Sequence, residues 1–357
     1  MNRFFIIAFI LHWSFTGKGQ QFQLHDGASI AFSGNMEAFF SFDFNSTTAP
    51  GNAPMLVNYK NNREVNVNFG MVKVNYTAAN ARANFGMMAG TYVQNNLATE
   101  SEFVRNIYEA NAGFKLSQKN NIWLDAGIMP SHIGYEGMLS QENLTLTRSM
   151  AGDNSPYYET GMRLSYTSNN DKWYLAGMLL NGWQRIGRNS PLAFGFQLRY
   201  KHGDRFTINY SNFLGKMTLT EFRHFHNIYA TIQVAQKWNM IAGIDLGFQK
   251  LNAMYAKARG WYTPSLVVQY VHSDKLKMAA RAEYFSDTAG VVVPLQNYAG
   301  AQNFSASFNI DYHVTKNFIW RNELKSISSD RNLFYNKEIA ESRSSNYSFT
   351  SALTFYF

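Results

Sequence analysis

The chain closes on a two-residue alternation. Tyr347, Phe349, Leu353, Phe355 and Phe357 fall on one face, and Ser348, Thr350, Ala352, Thr354 and Tyr356 on the other. The same period runs from about Asn35 onward, and no long segment of helical period competes with it. In "NFSASFNIDY", Phe304, Ala306, Phe308, Ile310 and Tyr312 alternate with Asn303, Ser305, Ser307, Asn309 and Asp311. In "YYETGMRLSY", Tyr158, Met162, Leu164 and Tyr166 oppose Tyr157, Glu159 and Arg163. In "EVNVNFGMVKVNY" the phase moves from Val65, Val67, Phe69 and Met71 to Val72, Val74 and Tyr76, which predicts a bulge near Gly70.

The connections alternate as well. "TAANA", "SQKN", "TSNND", "KHGD", "QKWN", "HSDK" and "VTKN" are short and polar. Between them lie longer ones, such as 46–63, 130–156, 183–192, 214–224, 250–259, 286–301 and 328–344. The pattern predicts about sixteen strands of roughly 9–13 residues, the length of a tilted membrane strand. Short turns on one rim and long loops on the other define a transmembrane antiparallel β-barrel of meander topology. Tyr158 and Tyr166 share a face, eight residues apart, as do Tyr262 and Tyr270, and Tyr347 and Phe355. That interval is roughly 20 Å along the barrel axis, close to the spacing of two aromatic girdles around a lipid-facing band.

A soluble β-sandwich or β-helix with one wet face would alternate too. Composition separates the two. Hydrophobic residues reach 46%, aromatics 16% and charged residues only 16%. Yet mean hydropathy is −0.29, as expected when each strand carries one apolar and one polar face. There is no Cys, which excludes disulfides and thiolate metal sites. The net charge of +8 is spread along the chain without a basic cluster for nucleic acid. Residues 1–20 place Arg3 before an apolar run from Phe4 to about Trp13 and then small residues, the pattern of a secretory signal peptide. The barrel is expected over 21–357, with no plug domain ahead of its first strand.

If the apolar face meets lipid, the polar face lines the lumen. The candidate lumen charges include Glu37, Asp43 and Lys325 together with Glu109, Lys115, Asp125, Glu159, Arg163, Arg199, Asp245, Arg281, Glu283, Asp311, Arg321 and Glu323. A charge on the lipid face would cost about 2–4 kcal/mol at the midplane, so their parity is constrained. Each charge has a simpler role as a cross-strand ion-pair partner. Small residues such as Gly86, Gly113, Gly127, Gly161, Gly243, Thr263 and Ser265 predict a wet wall rather than a packed one.

The stretch 134–166 carries Glu142-Asn143, Thr147-Arg148-Ser149, Ser155-Pro156-Tyr157-Tyr158 and Thr160-Gly161. Over these residues the chain resembles the OmpL-like β-barrel porin family of Bacteroidota outer membranes. The resemblance implies a passive pore in the outer membrane of a Gram-negative bacterium. It also implies that the final amphipathic strand, with Tyr347, Phe349, Leu353, Phe355 and Phe357, is the signal read by the barrel-assembly machinery. The connection 130–156 holds Tyr135, Glu136, Glu142, Arg148 and Asp153, mixes both signs and buries little apolar surface. A loop this long is functional or disordered. We expect it to bend inward as a pore constriction built from Glu136, Glu142, Arg148 and Asp153, with Arg148 facing Glu109, Asp125 or Glu159.

The expected function is passive diffusion of small hydrophilic solutes or ions, with outer-membrane lipid and a homo-oligomer as further partners, and no cofactor. The alternatives are a hydrophobic-solute channel, a barrel hydrolase, and a structural or adhesin barrel with an occluded lumen. A hydrolase needs a His placed by an acid beside a nucleophile. His132 lies next to Ser131 and near Glu136, which is weak support for a triad. His224 and His226 share a strand face, but two His make an incomplete metal site and fit interfacial residues better.

Overall fold

The computed structural model describes residues 21–25, 27–45, 53–98, 100–187, 191–218, 221–250, 258–295, 297–336 and 339–357. The predicted leader, 1–20, lies outside them. Sixteen long strands form one closed antiparallel ring. In chain order they are Ser29–Asp43, Val65–Thr77, Ala81–Ala89, Ile107–Lys115, Asn121–Pro130, Tyr158–Thr167, Trp173–Leu180 and Ala193–His202. The second half is Phe206–Lys216, Phe222–Ala235, Trp238–Gln249, Arg259–Val271, Leu276–Asp287, Ala301–Thr315, Phe318–Ser329 and Ser345–Tyr356. Each pairs with its chain neighbours, and the last pairs with the first, from Ser348↔Asp43 to Tyr356↔Asn35. Closure leaves no long edge, as hydrocarbon requires. No helix of the described residues is long and apolar enough to cross a membrane.

The strands run from 8 to 15 residues, a wider range than the sequence predicts. All seven short connections are turns on one rim. Gly203 supplies a left-handed φ of 57° in the "KHGD" turn at no steric cost. The connection expected at 214–224 shrinks to 217–221, because both flanking strands extend into it.

The seam has a specific finish. Phe357 exchanges two backbone hydrogen bonds with Gly34, at 3.0 and 3.1 Å. Beyond that point the short strand Gln21–Gln23 takes over the same edge, pairing with Ser29–Ala31. A Cβ on Gly34 would strike the ring of Phe357, so glycine lets the terminal ring lie flat on the first strand.

Burial is inverted relative to a soluble protein. Phe114, Phe194, Phe304, Leu324, Tyr347 and Leu353 are exposed on the outer face. Glu37, Asp125, Glu159, Arg281, Glu283, Arg321 and Glu323 are buried on the inner one. The ionised side chains of the strand interiors share this inward parity, which spares each the cost of facing hydrocarbon.

Three readings of the pattern are corrected. The first bulge lies at Asn68, where Glu37↔Phe69 is followed by Ala38↔Val67, two residues before Gly70. It turns Phe69 and Met71 inward, and both are buried. Tyr158 is not a girdle residue. It is 1% exposed and packs with Tyr92, Val93 and Leu97 of the connection 90–106, its hydroxyl donating to Glu100 at 3.1 Å. The lumen wall, expected to be wet, is in large part packed against inserted chain.

Candidate functional site: the lumen and its inserted segment

Residues 131–157 leave the strand Asn121–Pro130 and run along the inside of the barrel. Backbone groups need partners wherever water is excluded, and here the wall supplies them. His132 Nδ1 lies 2.6 Å from Glu159 Oε2, and its Nε2 lies 2.7 Å from the Asn212 carbonyl. Gly134 N donates to Asn227 Oδ1 at 3.2 Å, and Tyr135 OH to Ser265 Oγ at 3.0 Å. Ser140 Oγ donates to Glu37, and Arg321 donates to the carbonyls of Ser140 and Asn143. Leu146 N reaches Asn309 Oδ1 at 3.0 Å, Thr147 N reaches Glu323 Oε2 at 2.5 Å, and Met150 N reaches Glu283 Oε2 at 2.6 Å. Lys325 Nζ donates to the Arg148 carbonyl at 2.9 Å.

Arg281 is the hub of this contact. It is 2% exposed. Its guanidinium meets Glu136, Glu283 and Glu323 at 3.3, 3.3 and 3.2 Å. It also donates to Thr145 Oγ1 and to the Thr147 carbonyl, both at 2.7 Å. Beside it, Arg321 pairs with Asp311 at 2.8 Å.

The four constriction candidates are all in the inserted segment, in different roles. Glu136 accepts from Ser149 N and Oγ, at 2.9 and 2.5 Å, and closes a loop within the segment. Asp153 accepts from Val57 N, Asn58 Nδ2 and Tyr157 OH, at 2.9, 2.5 and 3.0 Å, and so ties the connection 44–64 to the segment. Glu142 borders a cavity near Lys73. Burial raises its pKa above the ordinary carboxylate value, and Lys73 opposes that rise. Arg148 does not face Glu109, Asp125 or Glu159. It donates to the carbonyls of Glu136, Gly137 and Gly152 at 3.1, 3.3 and 3.1 Å, with its guanidinium 3.9 Å from the Tyr157 ring centroid. The segment's own carbonyls were closer to hand than any wall acid.

The wall charges form separate groups. Lys73 pairs with Glu109 at 2.6 Å, and Arg82 and Arg163 flank Asp125 at 2.6 and 3.3 Å. Asp245 accepts from Asn227 Nδ2 at 2.6 Å. Arg199 stacks over Tyr174, 5.0 Å from its centroid, and Lys115 is half-buried at the short-turn rim. Tyr347, Phe349, Leu353, Phe355 and Phe357 stand on the outer face of the last strand, with Phe357 44% exposed.

Sequence reasoning missed two things. The first is the partner of His132, which is Glu159 rather than nearby Glu136; the inward parity of Glu159 at the segment's return was the available signal. The second is the connection 90–106. Its helix Thr91–Asn96 presents Tyr92 and Val93 to Phe69, Met88, Ile128, Met138, Tyr157 and Tyr158, an apolar seal against one side of the inserted segment. No described group of three or more His, Cys, Asp or Glu has metal-site geometry.

A cavity of about 520 Å³ remains on the short-turn side of the segment, lined in part by Lys73, Tyr108, Gln141, Glu142 and Tyr229. A smaller one of about 50 Å³ lies on the long-loop side. A closed sixteen-stranded barrel with an apolar outside, a charged inside and a long connection folded into the lumen is an outer-membrane β-barrel of the porin type. The chain belongs to the family described as "Putative beta-barrel porin-2, OmpL-like", whose model matches residues 29–357. It is a multi-pass protein of the outer membrane. Among curated proteins none matches it significantly. Among solved structures it is similar to outer-membrane expressed OmpT of Vibrio cholerae, at a TM-score of 0.61 and 10% identity, over 95% of this chain and 100% of that one. It is similar to an anion-selective porin from Comamonas acidovorans, at 0.61 and 7%, over 92% and 100%. It is also similar to Salmonella typhi OmpF in complex with daunomycin, at 0.58 and 11%, over 95% and 100%. At such identities these likenesses establish the fold.

Proposed function

We propose that the protein is a restricted diffusion channel for small hydrophilic solutes or ions, its aperture set by residues 131–157. The observation that carries this reading is the contact of that one segment with wall strands around the barrel, from Asn212 through Asn227, Ser265, Arg281, Asn309 and Arg321 to Glu37. A sixteen-stranded barrel without such an insert is wide enough for an aqueous channel. The insert divides the lumen into a wide chamber on the short-turn side and a narrow one on the long-loop side.

The chemistry is passive. His132, the histidine nearest to a catalytic arrangement, has an acceptor on each ring nitrogen and none free to take a proton from a nucleophile. An occluded barrel is the second reading, favoured by the depth of the Arg281 and Arg321 contacts. Self-association is proposed as well, since one similar structure is the trimer form of Vibrio cholerae OmpT.

Planar-bilayer recording of refolded protein, intact and lacking 137–150, tests the channel. We expect a small conductance for the parent and a several-fold larger one for the deletion. Equal conductances from a folded deletion would place the segment outside the path. A silent parent beside a conducting deletion would establish occlusion.

A further inference from the structure

The inner wall between the inserted segment and the short turns carries its own charge pattern. On the arc from the strand Val65–Thr77 to the strand Ala193–His202, five inward residues are basic: Lys73, Arg82, Lys115, Arg163 and Arg199. Two of the acids on that arc, Glu109 and Asp125, lie among them, and the third, Glu159, is closed on His132 at the level of the segment. In each ion pair the acid lies against the wall and the base stands over it. Side-chain exposure is 6% for Glu109 beneath Lys73 at 21%. It is 1% for Asp125 beneath Arg82 at 32% and Arg163 at 23%. Asp125 serves both arginines, so that group keeps one positive charge. Lys115 and Arg199 form no ion pair with a described residue. Rings support the guanidinium groups, with Arg82 4.3 Å from the centroid of Trp123 and Arg199 5.0 Å from that of Tyr174.

The other acids do not cancel this excess. Glu142 opens on the same chamber and lies nearest to Lys73. Glu136 borders the chamber but is held by Ser149 and Arg281. Glu283 and Glu323 are fully buried on Arg281 and do not meet a solute. On the facing wall the inward residues toward the short turns include Thr231, Gln233, Asn239 and Gln269, all neutral. Lys277 adds a sixth cation there, and Asp311 opposite it is held by Arg321 at 2.8 Å. The rim continues the sign. An exposed lysine stands in or beside six of the seven short turns, at Lys119, Lys172, Lys201, Lys237, Lys275 and Lys316, against Asp171, Asp204 and Asp274.

We propose that the chamber on the short-turn side is an anion-selective vestibule, and that the solutes of this channel are small anions, inorganic or carrying a carboxylate or phosphate. The inference rests on the channel reading and names its solute class. A solute in the chamber meets ammonium and guanidinium groups, while Glu109 and Asp125 lie behind them. Low-dielectric walls focus the field of such a lining, concentrate anions in the chamber and exclude cations from it. Lys115, Arg163 and Arg199 set the preference, since removing them leaves Asp125 still paired with Arg82.

The test records reversal potentials of refolded full-length protein in a planar bilayer under a KCl gradient. Chloride should be preferred several-fold over potassium. The screening length shrinks from about 10 Å at 0.1 M salt to about 3 Å at 1 M, so the preference should fade as KCl is raised. A variant with Lys115→Gln, Arg163→Gln and Arg199→Gln should lose most of it. Arg331→Gln removes an exposed charge beside Asp330 on the long-loop side and should leave it unchanged. A conducting parent that prefers potassium or neither ion, or a triple variant as selective as the parent, overturns the vestibule and keeps the channel. A silent parent defeats the channel, and the vestibule is then judged by fluorescence anisotropy of a pyrene trisulfonate added to the protein in neutral detergent at low salt. Binding that the triple variant weakens several-fold supports it. Binding no tighter to the parent than to the triple variant overturns it.

Discussion

His132 and Glu159 form a closed pair, with Nδ1 2.6 Å from Oε2 and side-chain exposures of 2% and 3%. Nε2 faces the Asn212 carbonyl, so both ring nitrogens face acceptors and the imidazolium satisfies both. Burial lowers the pKa of this ring, but Glu159 and the Asn212 carbonyl outweigh burial and the net shift is upward. The pair's contribution is therefore complete below the ordinary value of about 6.5 and is lost as pH rises through the higher folded value. Thermal stability of the refolded protein should fall across that rise. His132→Gln should flatten the profile, and parallel profiles would remove His132 from the anchoring of the segment.

Arg281 neutralises Glu136, Glu283 and Glu323 at once. Arg281→Met keeps most of the volume and strands those carboxylates. The expected loss is about 3–5 kcal/mol by urea unfolding, the cost of breaking a buried ion pair from one side. A loss under about 1 kcal/mol, the size of a surface pair, would mean the segment is not held by this hub.

Arg148 binds through its planar fork and its face. Arg148→Lys keeps the charge and loses both, and we expect about 1–2 kcal/mol of destabilisation. Protease cleavage within 137–150 should appear in the variant before global unfolding. Arg148→Glu should unseat the segment and raise conductance, rather than merely turn selectivity toward cations. An unchanged conductance with reversed selectivity would instead place Arg148 in the solute's path.

Phe357 closes the ring on Gly34. Removing Phe357 should lower outer-membrane levels far more than Ser345→Asp at the other end of the strand. Gly34→Val should force the terminal ring away and weaken the difference in gel mobility between unheated and boiled protein. Wild-type levels and mobility for both seam variants would show that closure does not depend on this contact.

The alternation of apolar and polar residues determined the closed meander barrel, its strand number and its two unlike rims. The reason is local, since a strand in a membrane must turn one face to lipid along its whole length. The same parity assigned Arg281, Glu283, Asp311, Arg321 and Glu323 to the inner face. It misplaced Tyr158, because a covering connection can bury an outward residue, and it placed the first bulge two residues late, because Phe69 is equally apolar on either face. Only the tertiary structure decided what the inner face touches. Arg148 found carbonyls of its own segment, His132 found Glu159, and Lys325 found the Arg148 carbonyl. Those partners lie up to 177 residues apart in the chain, and no local period encodes contacts that exist only once the ring has closed around residues 131–157.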